Sequence, residues 1–86
     1  MHRTTAHFWT FFAHMPEAVQ GVARQNFERL KENPSHPSLH FKKVGKLWSV
    51  RVGIHHRALA VEDGGNLVWV WIGPHDDYVR LIKQQG

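Results

Sequence analysis

Two arginines, a histidine and a tyrosine interrupt an otherwise apolar stretch of this chain. From Trp48 it reads W-S-V-R-V-G-I-H-H-R-A-L-A-V, and beyond a Gly-Gly turn it continues L-V-W-V-W-I-G-P-H-D-D-Y. A strand needs no arginine to pair, and a short helix needs no histidine to begin. Arg51 and Arg57 flank a tight turn, and His75 and Tyr78 follow directly on the last apolar run. A guanidinium grasps phosphate through a fork of parallel N–H donors. An imidazole titrates near neutral pH and can take or give a proton. Two guanidiniums, an imidazole and a phenol are the groups needed to hold a phosphodiester and move a proton beside it.

Each residue alone has a plainer use. Arginines keep a sheet edge soluble, His75 can open a helix after Gly73-Pro74, and Tyr78 can anchor it. The distribution of charge argues for more. No Asp or Glu occurs between Asn33 and Val61, yet that stretch carries Lys42, Lys43, Lys46, Arg51 and Arg57, with His36, His40, His55 and His56. A segregated basic surface suits a polyanion or an acidic protein partner. Arg57 has no nearby carboxylate in sequence to pair with; a phosphate would supply that partner. Lys42 and Lys43 would add a phosphate-tracking patch.

Other chemistries find no parts. Ser35, Ser38 and Ser49 lack a nucleophile-elbow context, and Gly64-Gly65 is a hairpin tip rather than a phosphate loop. The histidines carry no H-E-x-x-H motif and no carboxylate lies among them, so neither a metal nor a cofactor is expected. The nucleophile would come from the substrate. An RNA 2′-hydroxyl attacking its own 3′-phosphate fits, because the protein then supplies only a base, an acid and cations.

The elements that must position these groups fit in one small domain of 86 residues with formal net charge +4. A chain of this size buries about 60–65% of its unfolded surface, and four Trp and five Phe supply the material for a core. With no Cys there is no disulfide staple or Cys-ligated zinc, which fits a reducing cytoplasm. No apolar run is long enough to span a membrane, and Met-His-Arg-Thr-Thr lacks the apolar core of a signal peptide.

Thr4 or Thr5 caps a first helix through about Ala13, with Phe8, Phe11 and Phe12 on one face. Pro16 and Glu17 open a second helix, along which Val19, Val22, Ala23, Asn26, Phe27 and Leu30 keep the helical period until Asn33-Pro34 stops it. Four strands follow, at Ser38–Val44, Leu47–Val52, Arg57–Glu62 and Leu67–Ile72, the last apolar on both faces and so doubly covered. Asp63-Gly64-Gly65-Asn66 marks a hairpin. A short final helical segment covers Asp76–Lys83. The expected class is α+β: a helical hairpin on one face of a four-stranded antiparallel meander. Register decides whether the arginines cooperate. A strict two-residue turn at His55-His56 puts Arg51 and Arg57 on opposite faces; a turn one residue longer, or a bulge near Gly53, puts them on one.

The order of parts resembles the RelE/ParE superfamily of bacterial type II toxins. A helical hairpin ending in L-K-E-N-P precedes F-K-K-V, then W-S-V-R-V, a short turn, H-R-A-L-A-V, and a last strand running into I-G-P-H-D-D-Y-V-R-L-I. That last piece is most similar to HigB-like members, and the W-S-x-R and H-R-x-L pieces are also similar to YoeB-like members. The first strand typical of the superfamily is nearly absent from the residues before the helices. The resemblance implies a microbial RNase-like fold and, for the RelE, YoeB and HigB branches, cleavage of mRNA in the ribosomal A site. By position, it implies that Arg57 contacts the scissile phosphate and Arg51 stabilises the transition state. His75 and Tyr78 would serve proton transfer and base stacking, and Lys42, Lys43 and Lys46 would contact RNA or rRNA. An acidic amphipathic segment of a cognate antitoxin would occupy the basic face or the groove between helices and sheet. The ParE branch implies a different target, DNA gyrase, and a non-toxic member would keep only the binding surface.

Overall fold

The computed structural model describes residues 1–85. Its elements are β1 (His2–Thr4), α1 (Ala6–Ala13), α2 (Glu17–Glu32), a 3₁₀ turn (Pro37–Leu39), β2 (Lys42–Val44), β3 (Leu47–Val52), β4 (His56–Asp63), β5 (Asn66–Pro74) and α3 (His75–Gln85). The α+β class and the helical hairpin are as the sequence implies. The sheet differs: it has five strands in the order β1-β5-β4-β3-β2 and is mixed. The meander β2 to β5 is antiparallel, and β1 adds to β5 in parallel, His2 opposite Leu67 and Thr4 opposite Trp69. Three residues, His-Arg-Thr, have no alternation to betray a strand. β1 exists because β5 offers an unpaired edge and the backbone satisfies it, as in the 2.9 Å bond from the Leu67 N–H to the Met1 carbonyl.

Thr5 caps α1, its hydroxyl oxygen accepting from the Phe8 N–H at 3.1 Å while donating to the Trp69 carbonyl, also at 3.1 Å. One side chain thus starts the helix and seats it on β5. α2 begins after Pro16 with Glu17 in its first turn, where a carboxylate favours the helix dipole. The Gln20 amide donates to the Phe12 and Met15 carbonyls at 3.0 and 3.2 Å, closing the α1–α2 corner. Both helices lie on the sheet face that carries Val50, Val52, Ala58, Ala60, Trp69 and Ile72. Phe12, Leu30 and Leu39 complete that core.

The strand expected over Ser38–Val44 is shorter. Pro37 fixes φ and starts a 3₁₀ turn. His40 then takes a left-handed conformation (φ +43°), and only Lys42–Val44 pair with β3. Leu39 and Phe41 still reach the core side, Leu39 completely buried. β4 and β5 meet at Gly64-Gly65, both with positive φ (55° and 83°), as a two-residue hairpin of this kind requires. An extra residue, Val70, bulges out of β5 where Leu59 faces Trp71 but Ala60 faces Trp69. β5 lies inside the sheet between β1 and β4. α3 returns against the opposite face of β4 and β5, where Leu59 and Tyr78 are buried outside the main core.

Candidate functional site

The β3–β4 loop is three residues long, Gly53-Ile54-His55, because Val52 pairs with His56. Gly53 provides the positive φ (+63°) that this turn needs. Arg51 is therefore directly opposite Arg57, and the two share the face turned away from α1 and α2. Of the two registers left open above, this is the one that brings the arginines together. Like charges directly across an antiparallel pair repel, and the two side chains diverge. Arg51 donates from Nε to the Gly53 carbonyl at 3.0 Å and from NH1 to His40 Nε2 at 3.2 Å. Arg57 leans the other way, 5.3 Å from the centre of the Tyr78 ring and a long 3.5 Å from Ser49 Oγ. Among the described residues neither guanidinium has a carboxylate within ion-pair distance.

His75 opens α3. Its N–H donates to the His55 carbonyl at 2.8 Å, which ties the helix start to the arginine hairpin. Its ring is exposed, 5.5 Å centre to centre from Tyr78. Tyr78 is 4% exposed and stands between Arg57 and His75. Its ring is a floor under the two, with little face left for a stacking base. Asp76 and Asp77 follow His75 in the first turn, and Asp77 is engaged by Arg80 at 2.6 Å.

The lysines separate. Lys42 pairs with Ser49 in register, which places it on the arginine face. Lys43 pairs with Trp48 on the other face, 3.4 Å from Glu62 and 6.0 Å from the Trp48 ring centre. The Trp48 indole also donates to Glu62, and that bond, more than Lys43, holds the Glu62 carboxyl below its ordinary range. Lys46 lies in the β2–β3 turn. The face therefore runs from His40 and Lys42 through Arg51 and Arg57 to Tyr78 and His75. Cations line it, with a proton-active ring at each end.

Two participants were not singled out by sequence. His40 reads as an alternating polar residue of a strand, and its approach to Arg51 depends on the left-handed turn. Asn26 shows the α2 apolar period, but it is a buried amide whose Nδ2 donates to the Arg51 carbonyl at 2.8 Å. It carries α2's position to the end of β3.

A sequence profile of the ParE-like toxin domain matches residues 17–80. No protein of curated function matches the sequence. Among solved structures, the fold is similar to the RelB–RelE antitoxin–toxin complex of Methanococcus jannaschii, with 14% identity and a TM-score of 0.71 over 92% of this chain and 96% of that one. It is also similar to the RelBE2 toxin–antitoxin complex of Mycobacterium tuberculosis, with 16% identity and a TM-score of 0.64 over 86% and 95%. A copper-bound mutant toxin of Helicobacter pylori shares the fold at 13% identity and a TM-score of 0.61 over 88% and 94%. At such identities the likeness is one of fold. The profile covers most of the chain and includes β3, β4, β5 and both arginines, so this chain belongs to the ParE-like toxin family, within the RelE/ParE superfamily.

Proposed function

We propose that this protein is the toxin of a type II toxin–antitoxin pair and acts as a metal-independent endoribonuclease on mRNA at the ribosome. The observation that carries this reading is the register of β3 and β4, which sets Arg51 directly opposite Arg57, with Tyr78 against Arg57 and His75 against Tyr78. Arg57 holds the scissile phosphate and offsets the charge that develops on it, and Arg51, directly opposite, adds its positive field. His75, exposed beside them, moves the proton. The RNA 2′-oxygen gives up its proton and bonds to phosphorus, the bond to the 5′-oxygen breaks, and that oxygen takes a proton. The products are a 2′,3′-cyclic phosphate and a 5′-hydroxyl. Lys42 and Lys46 extend the cationic track for RNA or rRNA. A cognate antitoxin is the expected partner and the cytoplasm the expected compartment. Toxin–antitoxin complexes among the structures of similar fold support the antitoxin.

The test is mapping of mRNA 5′ ends after induction. New 5′-hydroxyl ends within translated frames support the reading; intact mRNA removes it. The ParE-like profile favours a second reading, binding of DNA gyrase by the same face. Cleaved DNA accumulating with intact mRNA would establish that one instead.

A further inference from the structure

His40 stands out on two independent grounds. It is the one non-glycine with positive φ among the described residues (φ +43°). Such a backbone is costly and is kept where surroundings demand it, often at functional sites. Its exposed ring also accepts from Arg51 NH1 at 3.2 Å. A guanidinium can only donate, so Nε2 is unprotonated in this contact and the ring proton sits on Nδ1. The Gly53 carbonyl takes Arg51 Nε, leaving the remaining Arg51 donors unassigned.

Resting on the phosphate-holding reading of this face, we propose that His40 and Arg51 form a second anion subsite, next to that of Arg57, for the neighbouring backbone phosphate of the RNA. A phosphate entering between the two rings of charge displaces the His40–Arg51 bond. His40 then takes up a proton and donates to the anion, so one contact becomes two cations around one phosphate. The groups facing this point are mostly cationic, and Arg51 approaches it from β3. Lys42, two residues on, lies on the same face as Arg51 through its pairing with Ser49. His36, in the adjoining 3₁₀ turn, is occupied with Ser38, whose Oγ is 2.8 Å from its Nδ1. No carboxylate lies between Asn33 and Val61 to stabilise the imidazolium instead, and Glu62 is held by Lys43 and Trp48.

The test uses the whole protein and a short oligonucleotide with a 2′-deoxy linkage at the cleavable position, titrated by fluorescence anisotropy across salt at pH 5.5 and pH 8. Three variants separate ring from backbone. His40→Gly fits the left-handed backbone and removes the ring. His40→Asn also tolerates that backbone and offers an uncharged acceptor. Arg57→Ala reports the neighbouring subsite. In the unmodified protein, the salt slope should steepen on acidification, with an increment of about 0.7, the contribution of one phosphate contact to single-stranded nucleic acid, coming from His40. That increment should vanish in His40→Gly and His40→Asn and persist in Arg57→Ala. Oligonucleotide binding with the same pH increment in His40→Gly would overturn the inference while leaving the phosphate reading intact. No binding by the unmodified protein would remove both.

Discussion

The guanidinium of Arg57 lies 5.3 Å from the centre of the Tyr78 ring, so a strand residue and a helix residue are locked into one unit. His75 lies against the same ring, 5.5 Å centre to centre. A cation over an aromatic face gains about 0.5–1 kcal/mol at an exposed site, enough to orient the guanidinium and little enough to release it to a phosphate.

Arg57→Ala and His75→Ala should each abolish growth arrest on expression. Loss of mRNA cleavage should be about 10²–10³-fold for the arginine, the scale of removing one group that stabilises the transition state. Both lie at the surface or half-buried, so thermal unfolding should move little. Arg57→Lys should rescue poorly, because an ammonium lacks the planar fork. Full toxicity of either alanine variant would discard the assignment.

Tyr78 separates structure from chemistry. Tyr78→Ala removes a buried ring and should cost about 3–5 kcal/mol in urea unfolding. Tyr78→Phe keeps the floor. If the phenol only positions its neighbours, cleavage by this variant should fall by less than the about 10²-fold that a lost proton donor costs. A greater loss with unchanged stability would make the hydroxyl a proton-transfer group.

Asn26→Ala should destabilise by about 1–3 kcal/mol, the cost of losing a buried amide's hydrogen bond to a partly buried carbonyl. The carbonyl is that of Arg51, so the same variant should weaken oligonucleotide binding. Denaturant unfolding and anisotropy on one preparation measure both.

Gly53→Ala should cost about 1–2 kcal/mol through its left-handed backbone. Space is not the obstacle, since an added Cβ would meet only Val22 Cγ1, at an ordinary 3.9 Å. Gly53→Asn should be milder. A crystal structure or amide exchange of the alanine variant should show the β3–β4 loop disturbed and the arginine pairing loosened.

Stability should fall as pH drops below about 6.5, the ordinary histidine value. Burial, then the N-terminal amine and Lys31, push the His2 pKa down; burial, then His55, does the same to His56. Both are neutral in the fold. Between their lowered values and about 6.5 the unfolded chain binds more protons, so stability rises with pH in that window and is complete above it. His2 Nδ1 accepts from the Trp69 indole at 3.1 Å, a bond that protonation removes. His2→Phe should reduce the acid-side slope of Tm against pH and leave the share of His56. An unchanged slope would remove His2 from the account.

Local signals located α1, α2, β3 and the β4–β5 hairpin, because caps, turns and apolar spacing lie within each element's own residues, although Phe11, expected on the apolar face of α1, is exposed. Apolar spacing in α2, alternation in Leu47–Val52 and the Gly64-Gly65 turn are all local facts. The sequence also concentrated basic residues between Asn33 and Val61, which the sheet then divided, Lys42 joining the arginine face and Lys43 turning to the other. β1 was not legible, since its only reason to be extended is the free edge of β5, far along the chain. Nor was the 3₁₀ turn at Pro37–Leu39 or His40's place beside Arg51, which rests on one backbone angle. Above all, the pairing of Arg51 with Arg57 was open to either face. Side chains alternate with a period of two, so a single loop residue decides the matter. Tertiary packing selected the three-residue loop by burying Val50, Val52 and Ala58 against the helices, and that choice placed both arginines together on the opposite face.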